Sequence, residues 1–254
     1  MIDTHCHILH GMEEGPAHLQ ESVEMLRQAV DEGIHIIMAT PRANGTYDIQ
    51  ADEIDQRLDE LIEAINEENL DITVKPGNLS ILSGDILENY QQGLLKPLNE
   101  NGRYVLIEFP PDHIPSYTTN LLFNMQVSGY TPIIAHPEQN SALREHPDLL
   151  YTFVKNGAVT QIGAPSLMKK HGKKVEKFSY QMIEHNLAHL IASEARNSSD
   201  HTFLLREAYE QLENTFGKET RYEFLENAER VYSNEECIQY QPEVIRRKKR
   251  FGIF

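Results

Sequence analysis

The chain is short of cysteine, of positive charge and of long apolar runs. Its two cysteines, Cys6 and Cys237, lie far apart and form neither a zinc-binding nor a redox pair. That usage suits a reducing compartment and predicts a cytoplasmic protein. No stretch approaches the roughly 18 apolar residues that span a bilayer, and no basic segment precedes an apolar one in the manner of a secretion signal. Asp and Glu number 39 against 23 Lys and Arg, a formal charge of -16. So few cations argue against a general nucleic-acid binder, because phosphate contacts need Lys and Arg. The same field repels an anionic substrate at long range unless a local patch or a bound metal reverses it. Neither a composition shift nor an internal repeat divides the 254 residues, a length at which a single α/β barrel is routine.

Strand-like and helix-like segments alternate from end to end. Helical periodicity over 17–32 stops at Gly33, and an apolar strand over 34–40 stops at Pro41. A polar helix over 49–66 precedes a strand over 72–75. Further strands are expected at 104–109, 131–136, 158–162 and 187–192, with helices at 116–128, 175–186 and 203–216. Such alternation predicts a parallel sheet, open or closed into a barrel, with its chemistry at the carboxyl ends of the strands. His7, Arg42, Glu108, His136 and Glu194 all fall at or just past those ends. One site should gather there.

His5 and His7 flank Cys6 near the start. Strand side chains alternate faces, so the two imidazoles point one way and Cys6 the other. Neutral imidazoles at that spacing suit zinc, iron or manganese, although two ordinary polar histidines would look the same. Cys6 reads as a small buried apolar residue. His35, inside an apolar strand, reads as a hydrogen-bonded core residue. His10, His18, His113, His146, His171, His185, His189 and His201 read as surface or helix-end groups. The basic ending from Arg246 to Phe254 is either a solvated tail or a contact for an acidic partner or an anionic membrane surface.

Five segments carry a more specific signal. They are Met1-Ile2-Asp3-Thr4-His5-Cys6-His7-Ile8-Leu9, Ala39-Thr40-Pro41, Leu106-Ile107-Glu108-Phe109-Pro110, Ala135-His136-Pro137-Glu138, and the ending Phe251-Gly252-Ile253-Phe254. Together they resemble the PHP (polymerase and histidinol phosphatase) superfamily over nearly the whole chain. The nearer match is its bacterial protein-tyrosine-phosphatase branch, encoded with capsule and exopolysaccharide synthesis genes. The resemblance implies a distorted (β/α)7 barrel over residues 1–240 with a basic-aromatic tail over 241–254. It implies a cluster of divalent metals, manganese most often, with zinc or iron as alternatives. The implied partner is the phosphotyrosine segment at the C-terminus of a tyrosine kinase. Association into homo-oligomers is a habit of the family for which the sequence specifies no interface.

Carried onto this chain, the family pattern makes His5, His7, Glu108 and His136 metal ligands. Glu194 stands where the family has aspartate, and Glu14 falls in its acidic pair before glycine. Other positions depart. The family's bridging glutamate is Leu79, two of its histidines are Arg42 and Arg196, and the arginine after H-P-E is Gln139. Leucine cannot ligate a cation, and a permanently protonated guanidinium has no lone pair to offer. Arg42 and Arg196 are therefore expected to pair with Glu13, Glu14 or Glu194, fixed cations replacing a metal, since buried charge needs partners. The metal complement should be reduced or absent. Three readings stay open: a metal-dependent phosphatase in which His136 and Glu108 hold metal and Arg42 or Arg196 contacts phosphate; a pseudophosphatase using both arginines as an anion clamp; and a mononuclear hydrolase of another phosphoester.

Overall fold

The computed structural model describes residues 1–43, 51–100 and 102–246. Nine strands appear: β1 (Ile2–Cys6), β2 (Ile36–Ala39), β3 (Arg42–Ala43), β4 (Thr73–Pro76), β5 (Leu79–Ile81), β6 (Tyr104–Glu108), β7 (Thr131–Ala135), β8 (Val159–Gly163) and β9 (Leu190–Ala192). Ten helices alternate with them: α1 (Leu19–Asp31), α2 (Ala51–Glu68), α3 (Ile86–Gln91), α4 (Thr118–Val127), α5 (Ser141–Glu145), α6 (Pro147–Lys155), α7 (Ala164–Leu167), α8 (Lys173–Glu184), α9 (Leu205–Phe216) and α10 (Lys218–Tyr232). The expected start of the second helix at 49 lies outside the described residues, as does the tail from 247 onward. No helix among the described residues is long and apolar enough to cross a membrane.

Every strand pair is parallel. The strands fall into a three-stranded sheet, β1-β2-β4, and a six-stranded one, β3-β5-β6-β7-β8-β9. The expected alternation thus gives an α/β fold with parallel sheets, but the pairing ladder is split in two. Thr40-Pro41 separates β2 from β3, and Gly77-Asn78 separates β4 from β5. Proline has no N–H to donate to a ladder, which accounts for the first break. Beyond the ladders, Glu194 N–H donates to His5 O at 3.1 Å and His7 N–H to Ala195 O at 2.9 Å. These two bonds tie the end of β1 to the chain leaving β9.

The strands bury both faces, as parallel strands flanked by helices do. One face of each packs against helices: Val105, Ile107, Ile134 and Ile162 share a core with Leu26, Leu61 and Met182. The other face forms a second core of Ile2, Met38, Leu79, Leu106, Ile133 and Val159. Along β6, Tyr104 and Leu106 belong to that inner core, and the period of two carries Glu108 to the same side. A carboxylate therefore caps an apolar stack. Leu79 is 2 % exposed within the stack, and its burial contributes about 2–3 kcal/mol. In the register of β3 against β5 it is the partner of Arg42.

Three histidine expectations need correction. His189 is 3 % exposed, its Nδ1 accepting from Thr160 N–H at 3.1 Å. His10 is also buried, with Nε2 2.8 Å from Glu60 Oε2. His35 is exposed and bonds the amino terminus of Met1 at 2.8 Å, so it is no core residue. Residues 241–246, expected to begin a tail, run along the end of α8: Asn186 donates to Gln241 O, Glu243 N–H donates to His185 O, and Ile245 is buried.

Candidate active site

Strand ends converge on one polar cluster. β1 delivers His5 and, just past its end, His7, with ring centroids 4.9 Å apart. Thr40, following β2, fixes His5 through a 2.6 Å hydrogen bond between its Oγ1 and His5 Nδ1. His136 follows β7 and lies 6.3 Å from His5, centroid to centroid. Both ring nitrogens of His7 are buried without a hydrogen-bond partner, although Nε2 approaches Glu14 Oε2 to 3.6 Å. Buried polar groups are normally bonded, yet neither nitrogen of this imidazole is, and Arg42 Nε and Glu138 Oε2 nearby also lack a partner.

Arg42 holds the centre. Its guanidinium places one nitrogen 3.0 Å from Glu14 Oε1 and another 2.8 Å from Glu108 Oε2. Arg196 adds a second cation to Glu14 at 3.3 Å. Glu108 Oε1 faces His136 Nε2 at 3.7 Å. The side chains of Arg42, Glu14 and Glu108 are 24, 21 and 16 % exposed, so the network is partly screened but far from free in water. The expected arginine pairing with Glu14 is found for both arginines, and Arg42 takes Glu108 as well.

Glu194 stands slightly apart. Its carboxylate accepts from Gln139 Nε2 at 3.0 and 3.3 Å and lies over Gly163, where a Cβ would fall 2.3 Å from Oε1. Beneath it, Glu138 is fully buried and accepts from Gly163 N–H and Ser166 Oγ. Burial pushes both carboxyls up, Glu138 to about 7, and Glu138 raises Glu194 further. Thr40, Glu138, Gly163 and Ser166 were not expected as parts of the site. Thr40 and Glu138 lie inside quoted motifs, so position was the available signal; Gly163 and Ser166 carried none.

Electrostatics keep the imidazoles neutral. Burial lowers His5, His7 and His136, the last to about 3, and the charges of Arg42 and Arg196 depress all three further. Burial raises Glu108 while Arg42 opposes the shift. Three residues of the cluster also take left-handed backbone angles rare outside glycine: Glu14 (φ 65°), His136 (φ 33°) and Glu194 (φ 55°). Such conformations cost energy and gather where a side chain must be aimed.

Neutral imidazoles have lone pairs for a cation, and unbonded His7 favours one. The carboxylates do not complete the set. Glu14 and Glu108 face Arg42, Glu194 faces Gln139, and among the described residues no three His, Cys, Asp or Glu side chains are grouped as a metal site. As arranged, the donors do not fit a metal cluster. Beside them, Glu108, His136 and Gln139 border a cavity of about 130 Å³.

Comparison with known proteins gives one consistent result. A family model described as "Capsular polysaccharide synthesis, CpsB/CapC" matches residues 1–233. The chain is 40 % identical to tyrosine-protein phosphatase YwqE of Bacillus subtilis, over the full length of both. It is 28 % identical to tyrosine-protein phosphatase CpsB of Streptococcus agalactiae, over 92 % of this chain and 99 % of that one. Among solved structures, it superposes with a TM-score of 0.94 and 39 % identity on a chain from the crystal structures of YwqE from Bacillus subtilis and CpsB from Streptococcus pneumoniae, described as unique metal-dependent tyrosine phosphatases. That match covers 97 % of this chain and 100 % of the other.

Proposed function

The chain belongs to the CpsB/CapC family of capsular polysaccharide synthesis, and on that premise we propose that it recognises a phosphotyrosine tail with hydrolysis weakened or lost. The tail would be the C-terminal segment of a tyrosine kinase of the capsule or exopolysaccharide system. The observation that carries this reading is Arg42, a guanidinium with no lone pair to offer a metal, set between Glu14 and Glu108. Leu79, its register partner, offers the same wall no donor. The two changes are neighbours in space, as a reorganised site requires.

The chain's own groups suit an anion. Guanidinium recognises phosphate through paired, charge-assisted hydrogen bonds. Arg196, with its side chain 38 % exposed, is the cation a phosphoryl group meets first, in competition with Glu14. Arg42 lies deeper and keeps Glu14 and Glu108 from repelling the incoming charge. Neutral His136 can donate or accept one hydrogen bond without adding charge. The architecture we infer is the distorted (β/α)7 barrel, supported by the two bonds joining β1 to the end of β9. Residues 1–240 would form that barrel domain, in the cytoplasm, with 241–254 as its tail.

A mononuclear hydrolase is the second reading, favoured by the unbonded nitrogens of His7. His5, His7, Glu108, His136 and Glu194 would be its donors for one manganese, zinc or iron ion.

Metal analysis of the purified protein, paired with phosphotyrosine-peptide hydrolysis in added manganese, tests the proposal. The native chain should hold less than about one ion, and Leu79→Glu/Arg42→His/Arg196→His should gain metal and roughly 10²-fold or more in turnover. Two or more tightly held ions with robust turnover in the native chain would sink it.

A further inference from the structure

One short segment reverses the charge of this acidic chain. Residues 169–177 contain five lysines, Lys169, Lys170, Lys173, Lys174 and Lys177, in a protein of formal charge -16. They occupy the turn after α7 and the first turns of α8, and 169–174 are exposed throughout. Glu176 is the one carboxylate within the segment, 3.2 Å from Lys169 Nζ. The placement works against the helix. Lys173 and Lys174 take the first two positions of α8, where the positive end of the macrodipole favours acids. Helix stability does not explain cations there.

The strip borders two recesses. On one flank, α8 packs against residues 137–139, which directly follow His136 at the mouth. On the other, Lys174 and Lys177 line a groove of about 1060 Å³ with Arg144 and Arg246, and with Glu145 and Glu184 among its acids. The turn leading into α5 separates the recesses: Gln139 and Asn140 border the mouth cavity, while Ser141 and Arg144 border the groove.

Resting on the phosphotyrosine reading of the mouth, we propose that this strip and groove dock the acidic residues flanking the phosphotyrosine. The ligand is then an acidic peptide held at two points. Charge complementarity selects it: the chain as a whole repels such a peptide, and the strip supplies the local reversal that lets it approach. The protein's own tail is a poor occupant, since residues 247–250 are all Lys or Arg.

Anisotropy titrations of the full chain with three peptides of equal length provide the test. One carries phosphotyrosine with Asp/Glu flanks, one phosphotyrosine with Ser/Gly flanks, and one Phe in place of phosphotyrosine with Asp/Glu flanks. Lys170→Glu/Lys173→Glu/Lys174→Glu should weaken the first about 10-fold or more and flatten its salt dependence. The second should stay within about twofold, and Tm should hold or rise because acids suit the start of α8. Equal binding of the first two peptides to the native chain would overturn the proposal. So would equal losses for both in the variant, or loss of binding on deleting 247–254 while the lysine variant binds normally. If the mouth reading alone is wrong, the Phe peptide binds as tightly as its phosphorylated counterpart and still loses affinity in the lysine variant. The docking surface then stands without the phosphotyrosine.

Discussion

Residues 3–7 and 193–196 meet twice, and the two meetings differ. At Asp3 the carboxylate is fully enclosed and accepts from Ser193 N–H at 3.0 Å, from His5 N–H at 3.3 Å and from the Ser193 hydroxyl. Ser193 Oγ accepts in turn from Ala195 N–H. Four residues further on, His7 is equally buried and neither ring nitrogen has a partner. Every group at the first meeting is answered inside the protein, so it serves to fix how β1 lies against β9. At the second, the protein leaves a polar group for something else to satisfy. The first arrangement suits an architectural role, and the second leaves room for a ligand.

The largest expected effect tests the architectural half. Asp3→Ala should cost about 3–4 kcal/mol in urea denaturation, because it strands three buried donors. A loss below about 1 kcal/mol would mean the seam holds without its carboxylate. Next comes a remote control for buried neutral imidazoles. Burial pushes His189 down to about 4, below its unfolded value of about 6.5. The unfolded chain therefore binds the proton first. This contribution is intact above about pH 6.5 and is lost as pH falls toward 4, by up to about 3 kcal/mol. Exchanging His189→Asn, which keeps an acceptor for Thr160 N–H, should flatten the pH dependence of stability across that window; an unchanged slope would show that other groups set it.

The smallest effect belongs to the mouth. Arg42→Met leaves Glu14 and Glu108 without their shared cation, and should cost about 1–2 kcal/mol, less than a fully buried pair because all three side chains are partly exposed. Added manganese should recover part of that loss in a thermal melt, while moving the native Tm little. A variant as stable as the native chain and indifferent to manganese would erase the contrast between the two meetings.

Much of this is legible in the sequence. The apolar runs at 104–107 and 131–135 could only be buried parallel strands, and strand ends located His7, Arg42, Glu108, His136 and Glu194. A pairing of both arginines with Glu13, Glu14 or Glu194 is expected because buried charge needs partners, and the structure selects Glu14. What escaped needed three dimensions. Arg42 and Leu79 are 37 positions apart, and only the register of β3 on β5 makes them neighbours. His35 found a partner in the amino terminus, which no side-chain pattern announces. From sequence alone His189 reads as a surface group, yet it sits among apolar residues just before β9, and Thr160 supplies its bond from the neighbouring strand. The split of the ladder into two sheets depends on Thr40-Pro41 and Gly77-Asn78, where the sequence shows a stop but not a resumption.

The close approach of Glu194 to Gly163 couples two positions across adjacent strands. The extra methylene of glutamate over aspartate carries the carboxylate into the space a methyl group at 163 would fill. Alanine at 163 therefore requires the Glu194 carboxylate to be turned aside or shortened. The two positions are thus coupled by geometry rather than by charge.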